Sequence, residues 1–224
     1  MPSAAAAVNT TCMPEFQTKP ALTGLAFSID AALPQTQCTR CGYPDCASYA
    51  RAIAHEGAPI NQCPPGGTQG IARLAAITGQ PVAPLNTKFG IEGPLTLARI
   101  DENWCIGCTL CIKACPTDAI LGANKQMHTV IAQHCTGCEL CIPVCPVDCI
   151  ELDVVSDERT GWDAWSAQLA EHAKARYAVH QARAQSTDTE PANAQATAPA
   201  PVVVPDKKAA IAAALAKARG LRQS

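Results

Sequence analysis

The chain has 224 residues, a formal net charge of −2 at pH 7 and 48% hydrophobic residues, of which 42 are Ala and 14 are Cys. Only three Trp, three Tyr and three Phe beside 18 Pro argue against one large well-packed domain, the length allows one or two, and the near-neutral charge argues against wholesale disorder. Short modules with so little large apolar material need covalent or metal staples, and the cysteines are the candidates.

The opening residues, Met1-Pro2-Ser3 and then Ala4 to Ala7, lack the basic and apolar regions of a secretory signal. No apolar stretch approaches the roughly 18 residues of a membrane span. The expected location is therefore cytoplasmic, without a transmembrane or signal segment. In a reducing compartment thiols stay reduced, so tightly spaced cysteines point to metal ligation rather than disulfides. Residues 1–20 read as a disordered lead that holds the isolated Cys12.

A helical module is expected over residues 21–79. Thr23 predicts the cap of a helix with Leu22, Leu25, Ile29 and Leu33 on one face, ended by Pro34. Asp45 and Thr68 predict the caps of two more helices, stopped at Gly57 and Gly79. Residues 80–97, with Pro81, Pro84, Pro94, Gly90 and Gly93, read as a linker.

Residues 98–154 hold short apolar segments at 98–100, 119–121, 128–131 and 149–152, each beside a cysteine loop. Two short β-hairpins are expected. Thr160-Gly161-Trp162-Asp163 predicts the start of a helix within 155–185, with Trp162, Trp165, Leu169, Ala173 and Tyr177 at helical spacing. Residues 186–205 form an Ala/Pro/Thr/Gln tract, a flexible linker. In 206–224, Lys207, Lys208, Lys217, Arg219 and Arg222 lie on a basic Ala-rich helix, read either as solvated or as docking on an acidic partner or an anionic membrane surface.

The cysteines of 98–154 form an internal repeat. Cys105-x2-Cys108-x2-Cys111-x3-Cys115-Pro116 recurs 30 residues later as Cys135-x2-Cys138-x2-Cys141-x3-Cys145-Pro146, with 10 of 16 positions identical from 105 to 120. A cubane cluster needs four thiolates around a compact core. A loop with a cysteine at every third position wraps three corners, and in the bacterial two-cluster pattern the fourth ligand comes from the other repeat. Cys105, Cys108, Cys111 and Cys145 are therefore the candidate ligands of one [4Fe–4S] cluster, and Cys135, Cys138, Cys141 and Cys115 those of another. Two structural zinc ions are the alternative, although zinc frameworks usually pair C-x2-C units.

On these motifs, residues 98–154 resemble the bacterial-type dicluster ferredoxins. Ile106, Ile112, Ile120, Ile142 and Ile150 are expected to shield the clusters, and Gly107 and Gly137 to relieve crowding where backbone meets the inorganic core.

A further set, Cys38-x2-Cys41-x4-Cys46-x16-Cys63, precedes Pro64-Pro65-Gly66-Gly67. By itself this spacing admits zinc or an iron–sulfur cluster. The run Leu33-Pro-Gln-Thr-Gln-Cys-Thr-Arg-Cys-Gly-Tyr-Pro-Asp-Cys46, then Asn61-Gln-Cys-Pro-Pro-Gly-Gly67 and Ile100-Asp-Glu-Asn-Trp-Cys-Ile-Gly-Cys108, resembles the B subunit of Rnf/Rsx electron transport complexes over residues 21–154. The resemblance implies a third [4Fe–4S] cluster on Cys38, Cys41, Cys46 and Cys63. It implies an α+β chain: a small helical four-cysteine module, a dicluster ferredoxin-like domain, a C-terminal helix and a disordered tail.

By the same resemblance the isolated chain is an electron carrier rather than an enzyme, while the family's complex is an ion-translocating oxidoreductase. The implied partners are redox proteins and other Rnf/Rsx subunits, with no nucleic acid. Family members usually begin with a membrane-spanning helix, which residues 1–20 do not provide. Peripheral association with the inner face of the cell membrane, through a membrane complex or the basic helix, is the corresponding expectation. The alternatives are a stand-alone ferredoxin serving a cytosolic reductase and a zinc-stabilised scaffold. Cys149 reads as a buried thiol, and His55, His128, His134, His172 and His180 as packing or surface residues.

Overall fold

The computed structural model describes residues 22–188. The expectations for residues 1–20, for 189–205 and for the basic segment 206–224 lie outside the described residues.

Helix α1 (Gly24–Ala32) starts after the extended residue Thr23 and ends where Leu33 turns extended before Pro34. The Thr23 hydroxyl makes no cap bond. Ala26, Ile29, Asp30 and Leu33 face inward while Leu25 and Phe27 are exposed, so the buried face is rotated away from the predicted Leu25. Helix α2 (Cys46–Arg51) is capped as predicted by Asp45, whose carboxylate accepts from the Ser48 N–H at 2.6 Å. It continues as a π turn, Ala52–Glu56, closed by left-handed Gly57.

Helix α3 (Gly67–Thr78) ends at left-handed Gly79. Thr68 does not cap it. The Glu92 carboxylate, from the predicted linker, accepts the Thr68 N–H at 2.9 Å and the Thr160 hydroxyl at 2.8 Å. A carboxylate at a helix N-terminus satisfies orphan N–H groups, and this one also joins two distant segments. Ile29, Leu33, Tyr49, Ile53, Ile60, Ile71 and Leu74 form the core under these helices, together with Cys46 and Cys63. Tyr49 donates its hydroxyl to the Pro59 carbonyl at 2.7 Å.

The next segment contains β1 (Thr96–Ile100), α4 (Leu110–Ala114), β2 (Ile120–Leu121), β3 (Thr129–Val130) and β4 (Ile150–Val154). Strand β1 begins two residues inside the predicted linker. It pairs antiparallel with β4, Thr96 opposite Val154 and Ile100 opposite Ile150, while β2 pairs with β3. The expectation of two hairpins is thus corrected, since the first apolar segment pairs with the last. The cysteine loop between β1 and β2 is too long for a tight turn. Each sheet instead takes one strand from each repeat.

The repeat is visible in the backbone. Left-handed residues recur at the 30-residue offset: Gly107 and Gly137 (φ 67 and 64), Thr109 and Glu139 (64 and 65), Asp118 and Asp148 (50 and 49). The halves differ where α4 has only turns as its counterpart. Pro143 occupies the position of Lys113 there and has no N–H to continue a helix.

The predicted helix at 160–177 is two helices, α5 (Gly161–Ala164) and α6 (Ala167–Asp188), separated by extended Trp165. The break lets both indoles be buried. Trp165 donates its Nε1–H to the Pro34 carbonyl at 2.8 Å, and the Arg73 guanidinium sits 3.8 Å from the Trp162 ring centroid. From α6, Lys174 pairs with Asp30 at 2.6 Å and Arg176 donates to the Thr117 and Asp118 carbonyls. The fold is mixed, with helices and two small sheets. Among the described residues no helix is long and apolar enough to cross a membrane.

Replacing Trp165 with Phe keeps the ring but leaves the buried Pro34 carbonyl without its donor. The expected loss is about 1–3 kcal/mol of stability, read as a lower thermal unfolding midpoint by far-UV circular dichroism.

Candidate metal centres

The structure gathers the predicted cysteines into three groups. In the first, Leu33 to Cys38 are buried and the chain is left-handed at Gln35, Gln37 and Thr39 (φ 58, 55 and 58). Such conformations are unfavourable for residues with a Cβ and persist where surrounding bonds hold them. Here the Gln35 amide donates to the Asp30 carbonyl and carboxylate at 2.6 and 3.0 Å. Gln37 donates to the Gln35 side-chain oxygen at 2.9 Å and accepts the Cys46 N–H at 3.0 Å. This relay runs from the Lys174–Asp30 pair to the start of α2. Burial pushes the Cys46 thiol well up, reinforced by repulsion from Cys63, Cys38 and Cys41, and burial likewise raises Cys63 and Cys41.

The second group is Cys105, Cys108, Cys111 and Cys145. They line a small cavity together with Cys149 and His128. Cys115, Cys135, Cys138 and Cys141 line another with Ala98, Thr117 and Ala119. The last cysteine of each repeat therefore faces the other repeat's loop.

Backbone N–H groups point at the sulfurs in both cavities. Ala98 donates to Cys135 Sγ at 3.5 Å and Ala119 to Cys115 Sγ at 3.2 Å. His128 donates to Cys105 Sγ at 3.3 Å. Burial raises the Cys145 thiol, yet the N–H groups of Val147 and Cys149 and the Cys149 side chain hold it below the ordinary thiol value. Burial pushes Cys111 and Cys138 up to about 11 and Cys141 to about 12, with neighbouring cysteines adding repulsion. Ionising these thiols together requires a compensating positive charge, which a cationic iron–sulfur core supplies. Sulfurs converging on small cavities with N–H donors aimed at them fit such a core.

Among the described residues no three His, Cys, Asp or Glu side chains are placed to hold a single metal ion. Tetrahedral zinc, with Zn–S of about 2.3 Å, requires sulfurs drawn tightly around one point. A polynuclear core holds its ligands farther apart. A wider cleft of about 200 Å3, lined by Thr36, Arg40, Thr136, Glu139 and Trp165 among others, has no cysteine in its lining.

Some expectations are corrected. Ile120 and Ile150 are buried, while Ile106 lines the cavity of Cys105, Cys108, Cys111 and Cys145 from a position that is 57% exposed. At Gly107 and Gly137 a Cβ would meet protein chain: it would overlap the Gln126 backbone at the first and the Thr96 carbonyl at the second, although Gly137 also lines the Cys138 cavity. Both also have positive φ, so glycine serves a crossing of chain segments. His128 is no ordinary packing residue, since its Nδ1 lies 3.2 Å from Cys111 Sγ and it is only 1% exposed. Cys149 is buried as expected, with its sulfur 3.5 Å from Cys145 Sγ. The available signal was the repeat, in which Ala98 and Ala119 align with His128 and Cys149.

Two contacts place the first group beside the Cys135–Cys141 loop. Thr136 donates its hydroxyl to the Thr36 carbonyl at 2.9 Å, and Arg40 pairs with Glu139 at 2.6 Å.

Residues 98–152 match the 4Fe-4S dicluster domain family, and residues 33–65 match an Fe-S cluster family. Longer stretches of the chain match relatives named as the B subunit of the ion-translocating oxidoreductase complex. The chain is 57% identical over 151 residues to that of Azoarcus sp. (strain BH72), covering 67% of this chain and 82% of the relative. It is 54% identical over 134 residues to that of Erwinia tasmaniensis, covering 60% and 70%. For Thiobacillus denitrificans the identity is 59% over 108 residues, covering 48% and 57%. The chain belongs to this B-subunit family. In this family member, the loops just described are the segments that the two iron–sulfur families match.

Gly137→Ala is expected to lower iron and visible absorbance per chain, because the methyl meets the Thr96 carbonyl behind Cys138. Gly93→Ala, whose Cβ has nothing within 4 Å, is the control and is expected to retain both.

Proposed function

We propose that the chain carries electrons through three [4Fe–4S] clusters as the B subunit of an ion-translocating oxidoreductase complex. The observation that carries this reading is the convergence of twelve cysteines into three groups, within segments matching two iron–sulfur families. The proposed ligands are Cys38, Cys41, Cys46 and Cys63 for the first centre, Cys105, Cys108, Cys111 and Cys145 for the second, and Cys135, Cys138, Cys141 and Cys115 for the third. The centres supply one-electron chemistry, and the protein sets their spacing, hydrogen bonding and burial.

The proposed modules are the helical four-cysteine segment 21–79 and the dicluster segment 98–154, joined by 80–97. Thr36–Thr136 and Arg40–Glu139 support an electron route from the first centre to the third and then across the dicluster to the second. The partners would be other subunits of the complex and the redox proteins it serves. Association with the inner face of the membrane would come through those subunits.

Anaerobically prepared protein is expected to contain about 12 iron atoms and matching acid-labile sulfide per chain. About eight iron with one zinc would overturn the reading of Cys38, Cys41, Cys46 and Cys63. Cys115→Ser is expected to damage the centre held mainly by Cys135, Cys138 and Cys141. Damage confined to the other dicluster centre, seen by electron paramagnetic resonance of the reduced protein, would refute the crossed ligand sets.

A further inference from the structure

The dicluster halves are close copies in sequence and backbone, so the places where their sulfurs have different neighbours stand out. Equivalent N–H groups serve both: Ala98 reaches Cys135 as His128 reaches Cys105, and Ala119 reaches Cys115 as Cys149 reaches Cys145. The side chains at these four positions are not equivalent. In one half they are the methyl groups of Ala98 and Ala119, which have nothing to donate. In the other they are an imidazole with Nδ1 3.2 Å from Cys111 Sγ and a thiol 3.5 Å from Cys145 Sγ.

We propose that His128 and Cys149 hold the Cys105/Cys108/Cys111/Cys145 centre at a higher reduction potential than its twin, so that an electron shared by the dicluster resides there. The proposal rests on the ligand sets of the preceding subsection. An iron-bound thiolate has no proton to give, so both polar contacts to it must be donated by the neighbour. His128 then carries a proton on Nδ1, while its buried Nε2 has no protein partner. Cys149 donates its S–H to Cys145. Each donor withdraws charge from a ligand sulfur and favours the more negative, reduced state.

Exposure acts in the same direction. Cys105, Cys108 and Cys145 are partly exposed, whereas Cys115, Cys138 and Cys141 are buried, and burial disfavours added negative charge. Arg176 opposes this, but it donates to the Thr117 and Asp118 carbonyls beside Cys115 rather than to a ligand sulfur. The sulfur contacts act directly on the ligands and decide the order. The transfer is a single electron: the Cys115/Cys135/Cys138/Cys141 centre is oxidised as its twin is reduced, with no bond made or broken.

Neither Thr136 nor Thr117 offers a matching donor: the Thr136 hydroxyl lies near Cys138 Sγ but gives its one proton to the Thr36 carbonyl at 2.9 Å. The Thr117 hydroxyl is 3.8 Å from Cys115 Sγ and is already donated to the His134 carbonyl at 2.8 Å.

The test is an anaerobic redox titration of the full chain and its variants, followed by electron paramagnetic resonance, after iron and sulfide analysis of each. Cys149→Ala and His128→Ala act on different ligands and are expected to lower the same potential, the higher of the dicluster pair, and to narrow the gap between the two. Ala119→Ser adds a donor beside Cys115 and is expected to raise the lower potential. Should His128→Ala fail to hold its cluster, Cys149→Ala and Ala119→Ser still decide the matter. Variants with full iron and sulfide but unchanged potentials, or with Cys149→Ala lowering the lower one, would overturn the proposal. A wild-type chain without about eight iron in its dicluster segment would instead overturn the ligand reading beneath it.

Discussion

Burying several thiolates in one place is costly unless a positive charge and hydrogen-bond donors accompany them, and the architecture from β1 to β4 answers that constraint. Each cysteine loop turns through left-handed residues, and N–H groups in or beside the strands, those of Ala98, Ala119 and His128, point at the sulfurs. Because the last cysteine of each repeat faces the other loop, neither half completes its sulfur set alone. The strand pairing obeys the same logic, with β1 and β4 closing the ends of the two repeats and β2 and β3 tying their middles.

The four-cysteine segment meets the constraint differently. It has no twin, and its strained loop is held by side-chain amides that relay from Asp30 through Gln35 and Gln37 to the Cys46 N–H. Helix α6 anchors the relay through Lys174. Arg176 on the same helix grips the carbonyls beside Cys115, so one helix supports both groups of cysteines. The indoles before it add Trp165 to Pro34 and Trp162 beneath Arg73. A chain with little large apolar material thereby holds its loops with polar anchors and sulfur sites.

The resulting order of centres has a functional meaning. The loop before Cys38 and the loop around Cys138 share a hydrogen bond and an ion pair, so the Cys115/Cys135/Cys138/Cys141 group is the dicluster group beside the first module. The group at the far side is the more exposed and the better supplied with donors. Under the proposed ligand sets, this asymmetry distinguishes the two centres of a near-symmetric duplication.

The ligand candidates, the repeat and the family resemblance were legible in the chain because cysteine spacing is local and 30-residue periodicity survives in the letters. Asp45, Gly57 and Gly79 were readable for a similar reason, since caps act within a turn of their own helix. What lay beyond the sequence depends on segments far apart meeting in space. Glu92 caps α3 from the linker, the first and last apolar segments of the dicluster pair with each other, and Trp165 breaks a continuous helical pattern to reach Pro34. His128 stands 17 residues from Cys111 with no motif between them. Only the pairing of β2 with β3 carries its imidazole to that sulfur, because long-range strand register, unlike ligand spacing, is set by the packing of the whole fold.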